Sequence, residues 1–102
     1  HREVMVFRGI QELMANARDY GQATQILISV DISPDRVKIE VEDNGRGFDA
    51  NSILEEDPSH LDARAQSTLT LKERYELVGG SLQVTSSETD GTHVSMELPT
   101  RD

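Results

Sequence analysis

The 102-residue sequence contains no cysteine and no tryptophan, and aromatic residues make up only 4% of it. The lack of cysteine excludes disulfide bonds and thiolate metal sites, as is typical of a reducing cytosol. No apolar run approaches the roughly 20 residues of a membrane-spanning helix, and no signal-peptide pattern begins the sequence. Positive charge is scarce too, with 10 lysines and arginines against 19 acids and a net charge of −9. Because such a chain repels backbone phosphates, we expect no nucleic-acid partner.

What is present indicates one small α+β domain over residues 1–102, with 35% apolar residues to form a single core. Hydrophobic residues at helical spacing predict a helix over residues 3–20, ending near Gly21. A second helix is predicted near residues 69–78, and two strand hairpins are predicted over 25–32 with 37–42 and 81–86 with 92–98. This order predicts a two-layer α/β sandwich, with the helices packed on one face of a largely antiparallel mixed sheet.

Residues 49–66 interrupt the pattern of helices and strands. They are polar, contain Pro58, and carry five acids. A stretch of about 18 residues without secondary structure is, in a compact domain, typical of a lid over a site or of a disordered segment. We therefore predict a lid at residues 49–66.

The most informative segment is residues 43–48, Asp-Asn-Gly-Arg-Gly-Phe, directly after an alternating strand. An acid followed by two glycines one residue apart presents a carboxylate beside a backbone without side chains. A flat heteroaromatic ligand can approach such a backbone while Asp43 accepts a hydrogen bond from its exocyclic amine. An acid before Asn-Gly is also common in tight turns. A calcium loop is excluded, because position 12 counted from Glu40 is Asn51 and not a glutamate.

A second group of polar residues lies on the first predicted helix, in residues 12–17, Glu-Leu-Met-Ala-Asn-Ala. At about 100° per residue, Glu12, Asp19 and Tyr20 all fall within about 60° of Asn16. An asparagine oxygen can bind Mg²⁺, and a glutamate can act as a general base. Alone, this pattern also describes a solvated helix face. The Asp-x-Gly-x-Gly segment downstream favours the functional interpretation.

Together these segments resemble the N-box and the G1 box of the ATP-binding domain that histidine kinases share with gyrase-type ATPases, Hsp90 chaperones and MutL. Residues 6–13, 71–80 and 91–94 resemble more closely the catalytic domain of sensor histidine kinases of the NarL/DesK type. The resemblance implies the Bergerat ATP-binding fold, with ATP and Mg²⁺ as cofactors. It also implies that Glu12 is the catalytic acid/base and that Asn16 is the metal ligand. The nucleotide-binding residues that it implies are Asn16, Asp43, Gly45, Gly47 and Thr92.

The resemblance further implies a protein histidine kinase. Its phospho-acceptor histidine would lie on a separate helical dimerisation domain, with a response regulator as the downstream partner. It implies a cytoplasmic domain without direct membrane contact, whether or not the parent protein is anchored in a membrane.

The sequence departs from the family pattern at two places. Where the N-box usually continues with a cation and a histidine, it has Asp19 and Tyr20, so that an acid replaces a phosphate-contacting cation. Three glycines of the G2 box are replaced by Ala65, Ser67 and Thr70, although glycines there let backbone N–H groups approach phosphate oxygens. The alternative function is therefore a degenerate, non-catalytic module of the same fold with a regulatory or docking role.

Overall fold

The computed structural model describes residues 2–47, 63–87, 89 and 91–100. Six elements follow one another in the order α1 (Arg2–Asp19), β1 (Ile26–Ile32), β2 (Arg36–Asp43), α2 (Ala63–Leu77), β3 (Ser81–Ser87) and β4 (Gly91–Pro99). The predicted order of helices and hairpins is confirmed.

Helix α2 begins earlier than the sequence analysis predicted. Residues 63–66, which the predicted lid included, form its first turn. Alanine, arginine and glutamine are strong helix formers, and these are the residue types of that turn. The expectation that residues 63–66 have no secondary structure was therefore wrong. The lid at residues 49–66 stays a prediction, and residues 49–62 lie outside the described residues.

The four strands form one sheet in the order β1-β2-β4-β3. All three pairings are antiparallel, so the sheet of the described residues is antiparallel throughout, in agreement with the largely antiparallel character that the sequence predicted. Strand β2 is an inner strand, and its last residue, Asp43, lies opposite Ile26 on one side and Thr92 on the other. The strand order thus places Asp43 and Thr92 side by side.

The hydrophobic core lies between the sheet and the two helices. Its buried side chains come from alternate positions of the strands and from one face of each helix, and they are Leu13, Ile39, Val41, Leu71, Tyr75, Leu82, Val94, Met96 and Leu98. Fully burying one such side chain contributes about 1.5–3 kcal/mol. In the described part of the chain, neither helix is long and apolar enough to cross a membrane.

Tyr75 joins the two helices at the centre of this core. It is fully buried, and its hydroxyl donates a hydrogen bond to the backbone oxygen of Met5, at 3.1 Å. A Cβ on Gly9 would lie 2.8 Å from this hydroxyl, so α1 can approach Tyr75 closely because Gly9 has no side chain. Burial raises the pKa of Tyr75 to about 12.

The raised pKa of Tyr75 predicts a loss of stability in strong base. The unfolded chain releases this proton near pH 10, whereas the folded chain retains it until about pH 12. The contribution of Tyr75 is therefore fully present below pH 10 and declines as the pH rises to 12, by about 2–3 kcal/mol in the free energy of unfolding. Urea unfolding of the parent and of Tyr75→Phe between pH 10 and pH 12 measures this fall in the free energy of unfolding. If both proteins lose the same free energy, Tyr75 is not the responsible group.

Candidate nucleotide-binding site

Asp43 is buried at the end of β2, and both of its carboxylate oxygens have partners within the protein. The backbone N–H of Gly45 donates to Oδ1 at 2.9 Å, and Nη2 of Arg64 donates to Oδ2 at 3.0 Å. Only 4% of the Asp43 side chain and 6% of the Arg64 side chain are exposed. The acid that the sequence predicted as the adenine-binding residue therefore forms a buried ion pair with the first turn of α2.

The two glycines after Asp43 lie where other parts of the backbone come close. A Cβ on Gly45 would lie 2.5 Å from the backbone oxygen of Gly21, and a Cβ on Gly47 would overlap the backbone oxygen of Ser87. The N–H of Arg46 also donates to the oxygen of Gly21, at 2.7 Å. Both glycines are thus required by contacts within the domain, a reason that the sequence did not reveal.

Thr92 lies beside Asp43 on the neighbouring strand, as the paired register requires. It is buried, and its Oγ1 lies 2.7 Å from Oγ of Ser86. A cavity of about 170 Å³ adjoins these residues, lined by Glu42, Asp43, Thr85, Ser86, Ser87, Gly91, Thr92 and His93. Ligand pockets usually begin at about 300 Å³, so this cavity is too small for a whole nucleotide.

Glu12 and Asn16 are brought together on α1, as their spacing predicts. Asn16 is buried, and its Nδ2 donates to the hydroxyl of Ser67 at 3.1 Å. The same hydroxyl donates to Oε1 of Glu12, at 2.7 Å. One serine of α2 therefore connects the candidate acid/base to the candidate metal ligand.

Sequence reasoning missed the role of Arg64, which lay inside the predicted lid. Besides its ion pair with Asp43, its Nη1 donates to the backbone oxygen of Arg46 at 2.7 Å. The buried face of α2 continues from Tyr75 and Leu71 back through Thr68 to Arg64. Extending the helical periodicity N-terminally would have placed Arg64 on this face.

The two N-box departures lie at the surface, at the end of α1. Asp19 and Tyr20 are exposed, and Oδ1 of Asp19 accepts a hydrogen bond from Nε of Arg18 at 3.0 Å. This hydrogen bond and the charge of Asp19 raise the pKa of Arg18. The negative charge of Asp19 is thus partly balanced by its own neighbour.

The polar residues suit a nucleotide with a metal ion. No group of three or more histidine or acidic side chains that could hold a metal occurs in the described ranges. The Mg²⁺ ion that the resemblance implies would take Asn16 together with phosphate oxygens and water, which is a usual ligand set for this ion. Asp43 and Thr92 are acceptors of the kind that an adenine amine and a bridging water need, but both carboxylate oxygens of Asp43 are bonded within the protein in this structure.

Comparisons with known proteins agree with this fold. Residues 1–102 match the family model of histidine kinase-, DNA gyrase B-, and HSP90-like ATPases. The signal transduction histidine-protein kinase/phosphatase DegS of Bacillus subtilis is 31% identical over 97 residues, 95% of this chain and 24% of DegS. The oxygen sensor histidine kinase NreB of Staphylococcus carnosus is 31% identical over 100 residues, 98% of this chain and 27% of NreB. The chain thus spans about a quarter of these relatives.

A solved structure shows the same fold. The histidine kinase domain of the blue-light activated histidine kinase EL346 from Erythrobacter litoralis aligns with a TM-score of 0.57 at 21% identity, covering 88% of this chain and 41% of that one. The family model extends over the whole chain, and residues of both boxes predicted from the sequence contact the N-terminal part of α2. The protein therefore belongs to the family of histidine kinase-, DNA gyrase B- and HSP90-like ATPases, and its relatives are sensor histidine kinases.

Proposed function

We propose that this chain is the ATP-binding catalytic domain of a sensor histidine kinase, presenting Mg–ATP for phosphorylation of a histidine on a separate dimerisation domain. One observation carries the proposal: Arg64 and Ser67, three residues apart on α2, contact Asp43 and the Glu12–Asn16 pair respectively. Three residues of helix span only about 4.5 Å along its axis. The adenine-binding acid and the metal and base residues therefore lie close enough for a single nucleotide to reach both.

Each residue has a distinct role in this proposal. Oδ2 of Asp43 accepts the hydrogen bond of the adenine amine, and Thr92 holds a water shared with it. Asn16 binds Mg²⁺ through its side-chain oxygen. Glu12 accepts a hydrogen bond from the attacking imidazole, so that it orients the ring or removes its proton. Bound ATP supplies the phosphoryl group, and a response regulator is the downstream partner.

The second candidate is a non-catalytic module of the same fold with a regulatory or docking role. The contacts of Ser67 favour it, because this residue stands at a G2-box position and its hydroxyl engages both Glu12 and Asn16. The exposed acid Asp19 at the end of α1 favours it as well. Glu12, Asn16 and Asp43 are nevertheless all present and grouped, which favours the catalytic function.

Calorimetric titration with a non-hydrolysable ATP analogue and Mg²⁺ tests the adenine assignment. In Asp43→Asn, an amide group replaces one acceptor oxygen, and we expect binding to weaken by about 1–3 kcal/mol, roughly 5- to 150-fold. The matched control is Asp31→Asn, which makes the same chemical change at an exposed position of β1. Circular dichroism verifies folding, because the variant removes the charge partner of Arg64. Because Asp43→Asn also releases Arg64 from its partner, the same comparison is made in Arg64→Gln. Equal affinity in Arg64→Gln and in the Arg64→Gln/Asp43→Asn double variant would refute the adenine assignment.

The same titration without Mg²⁺ tests the metal. Because the chain carries a net charge of −9, the phosphates need a counter-charge, and binding should weaken when the metal is chelated. Identical affinities with and without Mg²⁺ would contradict the role assigned to Asn16.

A further inference from the structure

We propose that Arg64 and Ser67 form an internal latch that occupies the nucleotide site, so that ATP binds only when the first turns of α2 withdraw. The identity of the excluded ligand rests on the proposed function. In this inference Arg64 competes with the adenine amine for Asp43, while Ser67 holds Glu12 and Asn16. The latch, meaning these two side chains, is thus a regulatory element within the domain.

The Arg64 side chain fills the space at Asp43 that a ligand would need. Its Nη2 donates a hydrogen bond to Oδ2 of Asp43, and its Nη1 donates one to the backbone oxygen of Arg46. The guanidinium also lies against Gly21, since a Cβ there would be 2.8 Å from Nη1. With Oδ1 of Asp43 bonded to the N–H of Gly45 and only 4% of its side chain exposed, no acceptor surface remains for an amine from outside.

The guanidinium and the adenine amine are chemically similar ligands for this carboxylate. Both are planar groups that donate N–H hydrogen bonds, but the guanidinium is charged and the amine is neutral. The carboxylate makes both hydrogen bonds charge-assisted, but only the guanidinium adds a positive charge that attracts Asp43 in a buried, low-dielectric environment. Exchanging Arg64 for adenine at Asp43 is therefore unfavourable alone, and it must be driven by contacts that the rest of the nucleotide makes.

Ser67 closes the other half of the site from the same face of the same helix. It lies three residues after Arg64, and its hydroxyl holds Oε1 of Glu12 and Nδ2 of Asn16 at 2.7 and 3.1 Å. Thr68, also buried, bonds back to the oxygen of Arg64 at 2.9 Å, inside the helix. Because one rigid helical turn carries both contacts, a shift of that turn releases Asp43, Glu12 and Asn16 together.

A latch of this kind lowers the apparent affinity for ATP by the fraction of molecules in which it is open. Weakening the latch should therefore tighten binding, which is the opposite of what removing a ligand-binding residue does. We expect Arg64→Gln to bind the ATP analogue with Mg²⁺ at least about tenfold more tightly than the parent. Arg74→Gln is the matched control, because it removes the same charge from an exposed position of the same helix, about 15 Å away.

Arg64→Gln leaves the buried Asp43 without its charge partner and could therefore misfold. A second variant and a second measurement test the latch even in that case. Ser67→Ala removes only a hydroxyl, and we expect it to tighten binding about threefold. Urea unfolding of Arg64→Gln, Asp43→Asn and the double variant measures the coupling of the pair without any nucleotide. Additive effects in that cycle would show that Arg64 does not hold Asp43, and would overturn the latch.

The binding results separate the two proposals. If the parent binds the analogue and neither Arg64→Gln nor Ser67→Ala binds it more tightly, the latch is wrong while the proposed function stands. If the parent does not bind but Arg64→Gln does, both are supported. If neither the parent nor any folded latch variant binds adenine nucleotide, the proposed function fails, and the latch fails with it.

Discussion

Gly47→Ala is expected to destabilise the domain by about 3 kcal/mol or more, with a melting temperature lower by over about 10 °C. A Cβ at this position would overlap the backbone oxygen of Ser87 and would lie 2.5 Å from Oγ of Ser86 and 2.8 Å from the oxygen of Gly91. Two of these three atoms belong to the backbone of a paired hairpin, so they cannot rotate away. The chain after β2 would have to separate from the β3–β4 end of the sheet. Thermal unfolding followed by circular dichroism measures the loss.

Gly79→Ala is the control for this substitution. Gly79 has a φ of +84°, and a Cβ there would meet only Cγ of Pro99 at 3.7 Å. The left-handed backbone alone should cost about 1–2 kcal/mol for alanine. A loss in Gly47→Ala no larger than that in Gly79→Ala would show that the close approach of Gly47 to the hairpin is not present in solution.

Glu12→Gln is expected to lower the rate of phosphoryl transfer by about 10²- to 10⁴-fold, the usual contribution of a general base. The amide cannot accept a proton from the imidazole, but it keeps the size of the side chain and can still accept the hydrogen bond of Ser67. Nucleotide affinity should remain nearly unchanged, because a base acts chiefly in the transition state. The measurement is transfer from Mg–ATP to the dimerisation domain that the proposed function requires, supplied in trans, alongside calorimetric binding.

Glu3→Gln, in the first turn of the same helix, provides the charge-matched control. Normal transfer by Glu12→Gln would remove Glu12 from the mechanism. Strong nucleotide binding by the parent without any transfer would instead favour the regulatory function, with Asp19 and the altered G2 segment as its cause.

The features that the sequence predicted correctly are those encoded by residues close together in the chain. Helical periodicity placed α1 and brought Glu12 and Asn16 onto one face, because i and i+4 side chains are neighbours on any α-helix. Alternation of apolar and polar residues identified the strands, and it located Asp43 at the end of β2. The Asp-x-Gly-x-Gly segment and the N-box together were sufficient to identify the family.

Only the tertiary structure decided which groups meet across the domain. Arg64 and Asp43 are separated by 21 residues, and Ser67 and Glu12 by 55, so no local pattern relates them. Their contacts depend on how α2 packs over α1 and the end of β2. Helical periodicity can place Arg64 on the buried face of α2, but it does not specify the residue that Arg64 contacts there. The strand order likewise places Thr92 beside Asp43 through a pairing between β2 and β4, which a hairpin pattern does not specify. Residue types and spacing thus determined which candidate residues and which family could be identified, and long-range packing determined that Arg64 contacts Asp43 and that Ser67 contacts Glu12 and Asn16.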